Sequence, residues 1–230
     1  MLTSSLLKQH AATLGVQGCG IASNDRFVQA PDGFKPTDIY SNCKSTVVLF
    51  KQMPAGAIMA ENPVPYTHAA YLLYNELDRL SLEMLRYCQT FGVSGVVIPA
   101  DTPYLYWDDE NKVGRGILSM KHAAVQAGLG MMGRSTILIN REYGNMIYLG
   151  AFLIDAELEP DPLVTDFACP PGCHVCEKSC PQQAIGDMRV AQKLCREHSF
   201  VKVGRGWDLY SCHLCRSRCP LRFGEKQATH

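Results

Sequence analysis

The placement of cysteine constrains this chain more than any other feature of its 230 residues. Eight of the eleven cysteines lie between residues 169 and 219. A dense group of cysteines in the tail of an otherwise ordinary intracellular sequence is typical of metal binding, whereas disulfide frameworks belong to small secreted chains. The odd total also argues against full pairing. The tail is therefore predicted to bind metal through thiolates.

The spacing of these cysteines indicates which metal group they bind. Two runs, at residues 173–181 and 212–220, share the pattern C-x2-C-x3-C-P. Bacterial ferredoxins use C-x2-C-x2-C-x3-C-P, in which the fourth cysteine binds the other of two clusters. The same crossed ligation predicts two 4Fe–4S clusters here, one on Cys169, Cys173, Cys176 and Cys219 and the other on Cys180, Cys195, Cys212 and Cys215. Zinc is the alternative, because paired C-x2-C units also bind tetrahedral zinc.

The net charge also differs between the cysteine-rich tail and the rest of the chain. Residues 1–165 carry 12 Lys and Arg against 16 Asp and Glu, and residues 166–230 carry 10 against 6. A basic tail can bind nucleic acid. Eight thiolates and two oxidised cluster cores, however, together carry roughly −4, which offsets the net charge of the tail. We therefore assign the basic residues to compensation of cluster charge.

Helical and strand patterns interleave through residue 155 and predict an α/β fold with a mixed sheet. Apolar residues at helical spacing predict the longest helix at 67–91, and a long aromatic and polar loop occupies 101–116. Further helices are expected at 3–14 and 117–127, with strands near 20–22, 46–50, 93–99, 135–140 and 145–154, the last two joined as a hairpin. The predicted domains are residues 1–160, an α/β cofactor domain, and residues 161–230, a ferredoxin-like two-cluster module.

The stretch QAGLGMMGRSTILIN, residues 126–140, contains the expression G-x-G-x-x-G. A dinucleotide-binding loop follows a strand and opens a helix whose N-terminus holds the pyrophosphate. Here the predicted order is helix, glycines, strand, so the NAD or FAD interpretation is rejected. Gly128 fits a helix C-cap. Gly130 and Gly133 indicate a close backbone approach, either to a planar cofactor or to the packed sheet.

The segment HAAVQAGLGMMGRSTILINREYG, the strand and acidic linker after it, and the two cysteine runs resemble the epoxyqueuosine reductase and reductive dehalogenase superfamily. PDGFKPTDIYSNCKSTVVLF and YNELDRL resemble segments of its short members. The resemblance implies a cobalamin bound between the two domains, near one cluster and against the glycine loop. The corrinoid contacts that it implies are Gly128, Gly130, Met131, Gly133, Arg134 and Ser135. A D-x-H-x-x-G corrinoid motif does not occur in the sequence.

Two features of that superfamily bear on activity. Epoxyqueuosine reductases carry an Asp, proposed as proton donor, about fourteen residues before the first loop glycine, and that position is Gly114 here. Many longer members also continue further after the last cysteine, so tRNA is not expected as a partner. Reductive dehalogenases use a Tyr with a basic neighbour, and the resemblance implies Tyr104, Tyr106 and Lys121 as the equivalents here. His122, beside Lys121, is a further catalytic candidate, as a proton donor or a lower corrinoid ligand.

The expected function is an iron–sulfur oxidoreductase that passes single electrons from two clusters to a corrinoid for a reductive reaction, with a ferredoxin or flavodoxin as donor. The alternative is an electron-transfer protein that reduces the corrinoid of another protein and has no organic substrate of its own. A flavin, or no cofactor, in the first domain stays open. The lack of a long apolar run or a signal-peptide core predicts a cytoplasmic protein without a membrane span.

Overall fold

The computed structural model describes residues 1–225, so the last five residues of the predicted second domain lie outside the described part. Its helices are α1 (Ser4–Thr13), α2 (Pro36–Ile39), α3 (Ala55–Met59), α4 (Pro63–Gln89), α5 (Met120–Gln126), α6 (Val175–Lys178), α7 (Gln192–Ser199) and α8 (Leu214–Ser217). Its strands are β1 (Gly18–Ser23), β2 (Ser45–Gln52), β3 (Gly95–Ile98), β4 (Tyr106–Asp108), β5 (Val113–Arg115), β6 (Met131–Met132), β7 (Leu138–Ile139), β8 (Ile147–Ile154), β9 (Ile185–Gly186), β10 (Arg189–Val190), β11 (Phe200–Val203) and β12 (Trp207–Tyr210).

The central sheet has the strand order β1-β2-β8-β3, and every neighbouring pair in it is antiparallel. The α/β prediction is confirmed, but the prediction of a mixed sheet is wrong. The predicted hairpin of 135–140 with 145–154 is also wrong, because β7 pairs with β6. The Asn140 and Gly144 backbones close the intervening turn with two hydrogen bonds of 2.8 and 2.9 Å. After that turn β8 enters the sheet between β2 and β3.

Helices cover both faces of this sheet. On one face α1 and α4 bury Leu7, Leu77 and Phe152 completely. On the other face α5 packs its alanines against β2 and β8. Because side chains alternate along a strand, Val47 and Val48 belong to opposite layers. Burial on both faces explains why β8 is a nearly continuous apolar run and why β2 contains the apolar run at residues 47–50.

The longest helix, α4, begins four residues before its predicted start at 67 and ends two residues before its predicted end at 91. The Asn62 side chain accepts a hydrogen bond of 2.9 Å from the Val64 backbone N–H, and Pro63 occupies the first turn. Gly92, with φ +77°, follows the last turn. Along its length, α4 approaches Gly150 of β8 so closely that a Cβ there would meet Leu77 Cβ at 3.0 Å.

The region predicted as a loop at 101–116 contains the short hairpin β4–β5. The Asp108 carboxylate accepts a hydrogen bond of 2.9 Å from the Asn111 backbone N–H and so stabilises the hairpin turn. Each strand has three residues, too few for alternation to predict a strand from sequence. The hairpin extends from the sheet towards α7, where Gly114 N donates to Gln192 Oε1 over 3.2 Å.

The acidic linker before the cysteine region packs against α1 and β1. The Asp161 carboxylate accepts a hydrogen bond of 2.9 Å from the Ile21 backbone N–H and pairs with Lys8. Arg26 donates to the Asp161 carbonyl over 2.7 Å. The linker therefore has one defined position against α1 and β1.

The cysteine region consists of short elements. Helices α6 and α8 each lie inside one C-x2-C-x3-C run and contact each other. Strand β12 lies against α4, where the Tyr210 backbone N–H donates to Thr67 Oγ1 over 2.9 Å. The boundary near residue 160 and the ferredoxin-like character of this region stay predictions. In residues 1–225 no helix combines the length and apolar character needed to cross a membrane.

Candidate functional site

Four cysteines from both ends of the cysteine region surround one small pocket. Cys169, Cys173 and Cys176 line it together with Cys219, although the first three lie more than 40 residues earlier in the chain. Burial, and in addition these three thiols, raise the pKa of Cys219 to about 11. We call these four cysteines the first set. They are the four that crossed ligation predicts.

The remaining four cysteines form a second set. Burial raises the pKa of Cys215 to about 11, and the thiols of Cys195 and Cys212 add to this effect. Burial also raises the pKa of Cys195, again with a contribution from Cys212 and one from Cys180. Cys180, Cys195, Cys212 and Cys215 therefore lie together, as the crossed pattern predicts. Cys19, Cys43 and Cys88 belong to neither set and are half-buried or buried, as expected.

The chemistry of both sets fits iron–sulfur clusters. All eight cysteines are free thiols, and four thiolates are the ligands of a 4Fe–4S cluster. Tetrahedral zinc is held by the same kind of ligand, so metal analysis decides between the two.

A cavity of about 810 Å³ lies beside the second set, and Cys195 and Cys212 form part of its wall. The other lining residues come from the loop at 31–34, the β4–β5 hairpin and the loop before it, and the start of α5. Helices α4, α7 and α8 and strands β8, β10, β11 and β12 supply the rest. Such a volume accommodates a ligand of several rings. A molecule bound in the cavity would therefore lie next to cysteines of the second set.

Tyrosines make up the inner wall of this cavity. The Tyr148 and Tyr66 hydroxyls are 3.3 Å apart, and the Tyr74 ring packs edge-on against Tyr148. Tyr210 packs edge-on against Tyr66. Burial raises the pKa of Tyr74, Tyr148 and Tyr210. These hydroxyls consequently stay protonated, and the wall is apolar with neutral donors.

The charged residues on the wall are mostly basic. Among the described lining residues, Asp101 is the one carboxylate, and the cations are Arg115, Lys121, Arg196 and Arg216. Burial raises the pKa of Asp101, although Tyr104 and Arg196 act in the opposite direction. Its carboxyl group therefore holds a proton to higher pH than an exposed Asp does.

Three of the four predicted catalytic candidates are among the described residues that line the cavity, and Tyr106 is not. Tyr104 donates to Asp101 over 3.0 Å, and burial raises the pKa of its hydroxyl to about 12. Lys121 donates to the Thr136 carbonyl over 2.5 Å, and burial lowers its pKa. The His122 Nδ1 lies 2.7 Å from Ser119 Oγ. Burial and then Lys121 lower the pKa of His122, so its imidazole is neutral near pH 7.

The glycine loop contacts protein backbone. Gly128, with φ +70°, follows α5, and a Cβ there would lie 2.3 Å from the Pro162 carbonyl. A Cβ at Gly130 would lie 2.3 Å from the Ile139 carbonyl. The helix–glycines–strand order is confirmed, and the packed chain accounts for the close approach. Arg134 and Ser135 line the pocket of the first set, and none of the six predicted corrinoid contacts lines the large cavity. Corrinoid contact by this loop stays a prediction.

Two features of the site were not predicted from the sequence. Asp101 falls in the predicted loop at 101–116, although its position three residues after the end of β3 was a usable signal. The cationic wall was missed because Arg196 and Arg216 lie inside the cysteine region and were assigned to charge compensation. Gly114, at the position where the family resemblance implies an Asp, does line the cavity. Asp108 and Asp109 lie on the exposed hairpin turn instead.

Sequence comparison finds relatives that match half of this chain. No family model matches the chain. An epoxyqueuosine reductase of Staphylococcus aureus is 32% identical over 127 residues, covering 50% of this chain and 32% of that protein. The Listeria monocytogenes epoxyqueuosine reductase is 30% identical over 126 residues with the same coverage. The matched segment thus spans about a third of the length of these curated relatives.

Solved structures of two kinds share the fold. An epoxyqueuosine reductase from Streptococcus thermophilus superposes with a TM-score of 0.68 at 19% identity, covering 98% of this chain and 68% of that one. A catabolic reductive dehalogenase superposes with a TM-score of 0.69 at 17% identity, covering 96% of this chain and 32% of that one. The resemblance to the epoxyqueuosine reductase and reductive dehalogenase superfamily, predicted from the glycine loop and the cysteine runs, is confirmed by these sequence and fold similarities.

Proposed function

We propose that this chain is an iron–sulfur oxidoreductase that delivers single electrons to a corrinoid bound in the large cavity and so drives a reductive reaction. The observation that carries the proposal is the position of Cys195 and Cys212, which belong to the second set and also line the cavity. One 4Fe–4S cluster on each set would place the second cluster at the cavity wall. The relatives support this, since one neighbouring structure is described in terms of B12-dependent dehalogenation.

The residues of the chain have separate tasks in this proposal. The eight thiols hold the clusters, and a bound corrinoid would supply the two-electron reducing chemistry. The tyrosine wall excludes water from one side of the cavity. Asp101 holds a proton on its carboxyl group. The Tyr104 hydroxyl donates a hydrogen bond of 3.0 Å to that carboxyl group and fixes its orientation. We propose this pair as the proton donor, in place of the Asp that family resemblance implies at position 114.

Anaerobic cofactor analysis tests the proposal. Protein reconstituted with iron and sulfide should contain roughly eight irons per chain, and added cobalamin should remain bound through gel filtration. A variant with a bulky residue in the cavity, Gly116→Trp, should keep its iron and lose cobalamin. Iron-loaded protein that does not retain cobalamin would refute corrinoid binding, and a zinc-only protein would refute the clusters as well.

An electron-transfer protein without its own substrate is the second candidate, and the exposed aromatic residues near the cavity favour it. Trp107 and Trp207 are 48% and 65% exposed, and Leu105 is 70% exposed. Contiguous exposed apolar surface is typical of protein contacts, and Trp107 stacks on Tyr104 of the cavity wall. If the chain reduces a cobalamin-loaded protein on mixing but binds no free cobalamin, this second candidate replaces the first.

Binding of tRNA needs an experiment of its own. One epoxyqueuosine reductase that shares the fold, with a TM-score of 0.62 at 18% identity, was solved with a tRNA stem loop. That neighbour conflicts mildly with the expectation that tRNA is not a partner of this chain. Binding of a labelled tRNA anticodon stem loop that falls steeply with salt would overturn that expectation.

A further inference from the structure

The β4–β5 hairpin forms part of the cavity wall but has little packing of its own. Its strand residues are exposed or half-buried, and no residue from 101 to 116 belongs to a hydrophobic core of the described chain. A two-stranded hairpin by itself is only marginally stable in water. The position of this hairpin therefore depends on the elements that it touches.

Helix α7 contacts the hairpin at both strands and at the turn. The Arg196 guanidinium donates to the Lys112 carbonyl over 2.7 Å and lies 5.0 Å from the Trp107 ring. The Gly114 backbone N–H donates to Gln192 Oε1 over 3.2 Å. Because Gln192 and Arg196 lie one turn apart on the same face of α7, a single face of this helix holds the hairpin.

These contacts are the main link between the hairpin and the other elements. Among residues 1–225, no other hydrogen bond or ion pair joins residues 105–115 to a separate element. A Cβ at Gly114 would lie only 3.1 Å from Arg196 Nη1, so hairpin and helix meet closely. Elsewhere the Tyr106 ring lies 5.2 Å from the Phe34 ring. Release of α7 would leave the hairpin held by that aromatic contact.

The chain of contacts continues from α7 to the proposed proton donor. Trp107, which faces the Arg196 guanidinium, stacks on Tyr104 with ring centroids 6.2 Å apart and an interplanar angle of 27°. Tyr104 in turn donates to Asp101 over 3.0 Å. A displaced hairpin would carry Trp107 away and leave the Tyr104 ring without its stacking partner. The position of Tyr104 against Asp101 therefore depends on α7.

Helix α7 has few anchors apart from Cys195. Ser199 is its one buried residue, and no residue of α7 belongs to a hydrophobic core of the described chain. The Ser199 carbonyl accepts a hydrogen bond of 2.8 Å from the Ser211 backbone N–H. Cys195 directly precedes Arg196 and lies about one turn after Gln192. Iron ligation by Cys195 would therefore fix the part of α7 that carries both hairpin contacts.

We propose that Arg196 and Gln192 are positioning residues that hold the β4–β5 hairpin against the cavity, and that ligation of Cys195 keeps them in place. Assembly of the second set with iron thereby closes the cavity wall and seats Tyr104 against Asp101. In an iron-free chain the hairpin opens, so a substrate is not enclosed before electrons can reach it. The inference rests on the proposed function, because the ligand role of Cys195 is proposed there.

Limited proteolysis with trypsin tests the inference, because Lys112 and Arg115 lie in the hairpin and are cleavage sites for this enzyme. Full-length protein is digested anaerobically in its iron-loaded and iron-free forms, and cleavage after both residues is followed by mass spectrometry. The loaded wild type should be cleaved there about 10-fold more slowly than the iron-free protein, since cleavage follows the population of the open form. Cleavage after Arg86 of α4 should be equal in the two forms.

Variants of α7 separate the hairpin contacts from general stability. In loaded Arg196→Met the hairpin should be cleaved as fast as in the iron-free wild type, although the iron content is unchanged. Arg196→Lys should restore part of the protection, because an ammonium group still donates to the Lys112 carbonyl and still faces the Trp107 ring. Glu197→Gln changes the next side chain, which is exposed, and should match the wild type.

Fluorescence gives a second reading of the same contact. The chain has two tryptophans, so Trp207→Phe leaves Trp107 as the reporter. Its emission maximum should shift to the red when Arg196→Met is added, because the ring loses the guanidinium and becomes more exposed. Arg196→Lys should shift it less. An emission maximum that Arg196→Met leaves in place would count against the contact.

The inference would be overturned by either of two results. The first is Arg196→Met with wild-type iron content and wild-type protection of the hairpin, and the second is equal protection of the loaded and iron-free wild type. If Arg196→Met takes up no iron, Gln192→Met decides instead, since it removes only the Gly114 hydrogen bond and should speed hairpin cleavage in the loaded form. An unchanged rate there would overturn the inference. A wild type that takes up no iron would refute the proposed function itself, and the iron assay shows this independently of proteolysis.

Discussion

The Tyr104 hydroxyl donates a hydrogen bond of 3.0 Å to the Asp101 carboxylate, and both side chains line the cavity beside the second cysteine set. Burial raises the pKa of each group. Asp101 therefore holds its proton to higher pH than an exposed carboxyl group does, and the Tyr104 hydroxyl stays protonated. Arg196 and Asp78 also face Asp101, with opposite effects on its pKa.

Asp101→Asn should lower the rate of the reductive reaction by about 100-fold, the usual size of a lost general acid. The asparagine still accepts the Tyr104 hydrogen bond, so the geometry of the wall is kept. The measurement is turnover with a chemical reductant, at saturating cobalamin. An unchanged rate, with iron and cobalamin contents equal to the wild type, would remove Asp101 as the proton donor.

The same substitution has a pH-dependent effect on stability. Because the pKa of Asp101 is raised in the folded state, its contribution to stability is present below the ordinary value of 3.8 and is lost as pH rises through the folded value. The free energy of unfolding of the wild type should therefore fall relative to Asp101→Asn over that range. Denaturant unfolding at several pH values measures this difference. A difference that is independent of pH would show that Asp101 is not buried enough to be perturbed.

Gly128→Ala should destabilise the fold more than Gly92→Ala does. Both glycines follow a helix with positive φ, but a Cβ at Gly92 would meet open space, whereas at Gly128 it would lie 2.3 Å from the Pro162 carbonyl. The left-handed conformation alone costs about 1 kcal/mol, and displacement of the linker should add about 1–3 kcal/mol at Gly128. Urea denaturation of both variants gives the comparison. Equal losses would mean that the linker is free to move.

Cys195→Ser should reduce the iron content, whereas Cys19→Ser should not. Cys195 belongs to the second set, whereas Cys19 is a half-buried residue of β1. Loss of one thiolate should remove up to roughly four of the eight irons. Iron and sulfide assays after anaerobic reconstitution are the measurement. Full iron content in Cys195→Ser would exclude this cysteine as a ligand.

Asp161→Ala should destabilise the protein by about 1–3 kcal/mol, because it leaves the buried Ile21 backbone N–H without its acceptor. Lys8→Met removes only the partly exposed ion pair with the same carboxylate. That change should cost about 0–1 kcal/mol. Thermal unfolding separates the two effects. Equal losses from both variants would show that the ion pair, and not the backbone hydrogen bond, fixes the linker.

Much of the fold could be predicted because its elements carry local signals. Helix α4 has a capping residue, a first-turn proline and a terminal glycine, and β2 is rich in β-branched residues. The position of β8 could not be predicted in this way. Its neighbours β2 and β3 are set by layer packing over about 50 to 100 residues of sequence separation, and no turn signal encodes that choice.

The same contrast between local signals and long-range packing applies to the candidate site. The two C-x2-C-x3-C-P runs could be recognised because their spacing is a local property of the chain, whereas the ligand role of their cysteines stays a prediction. The cavity could not be predicted, since its wall joins Asp101, Lys121, Tyr148 and Arg216 from separate elements. Family resemblance placed Tyr104 and Lys121 near the reaction, and the glycine loop could be separated from dinucleotide binding by element order alone.

The crossed arrangement of the cysteine sets has a consequence for biosynthesis. Cys219 completes the first set, and Cys180 belongs with thiols that lie up to 35 residues later. A nascent chain leaving the ribosome therefore presents no complete four-thiol site until almost its last described residues have emerged. Insertion of the proposed clusters must wait until Cys215 and Cys219 have emerged, and a truncation after residue 200 would deprive both sets of ligands at once.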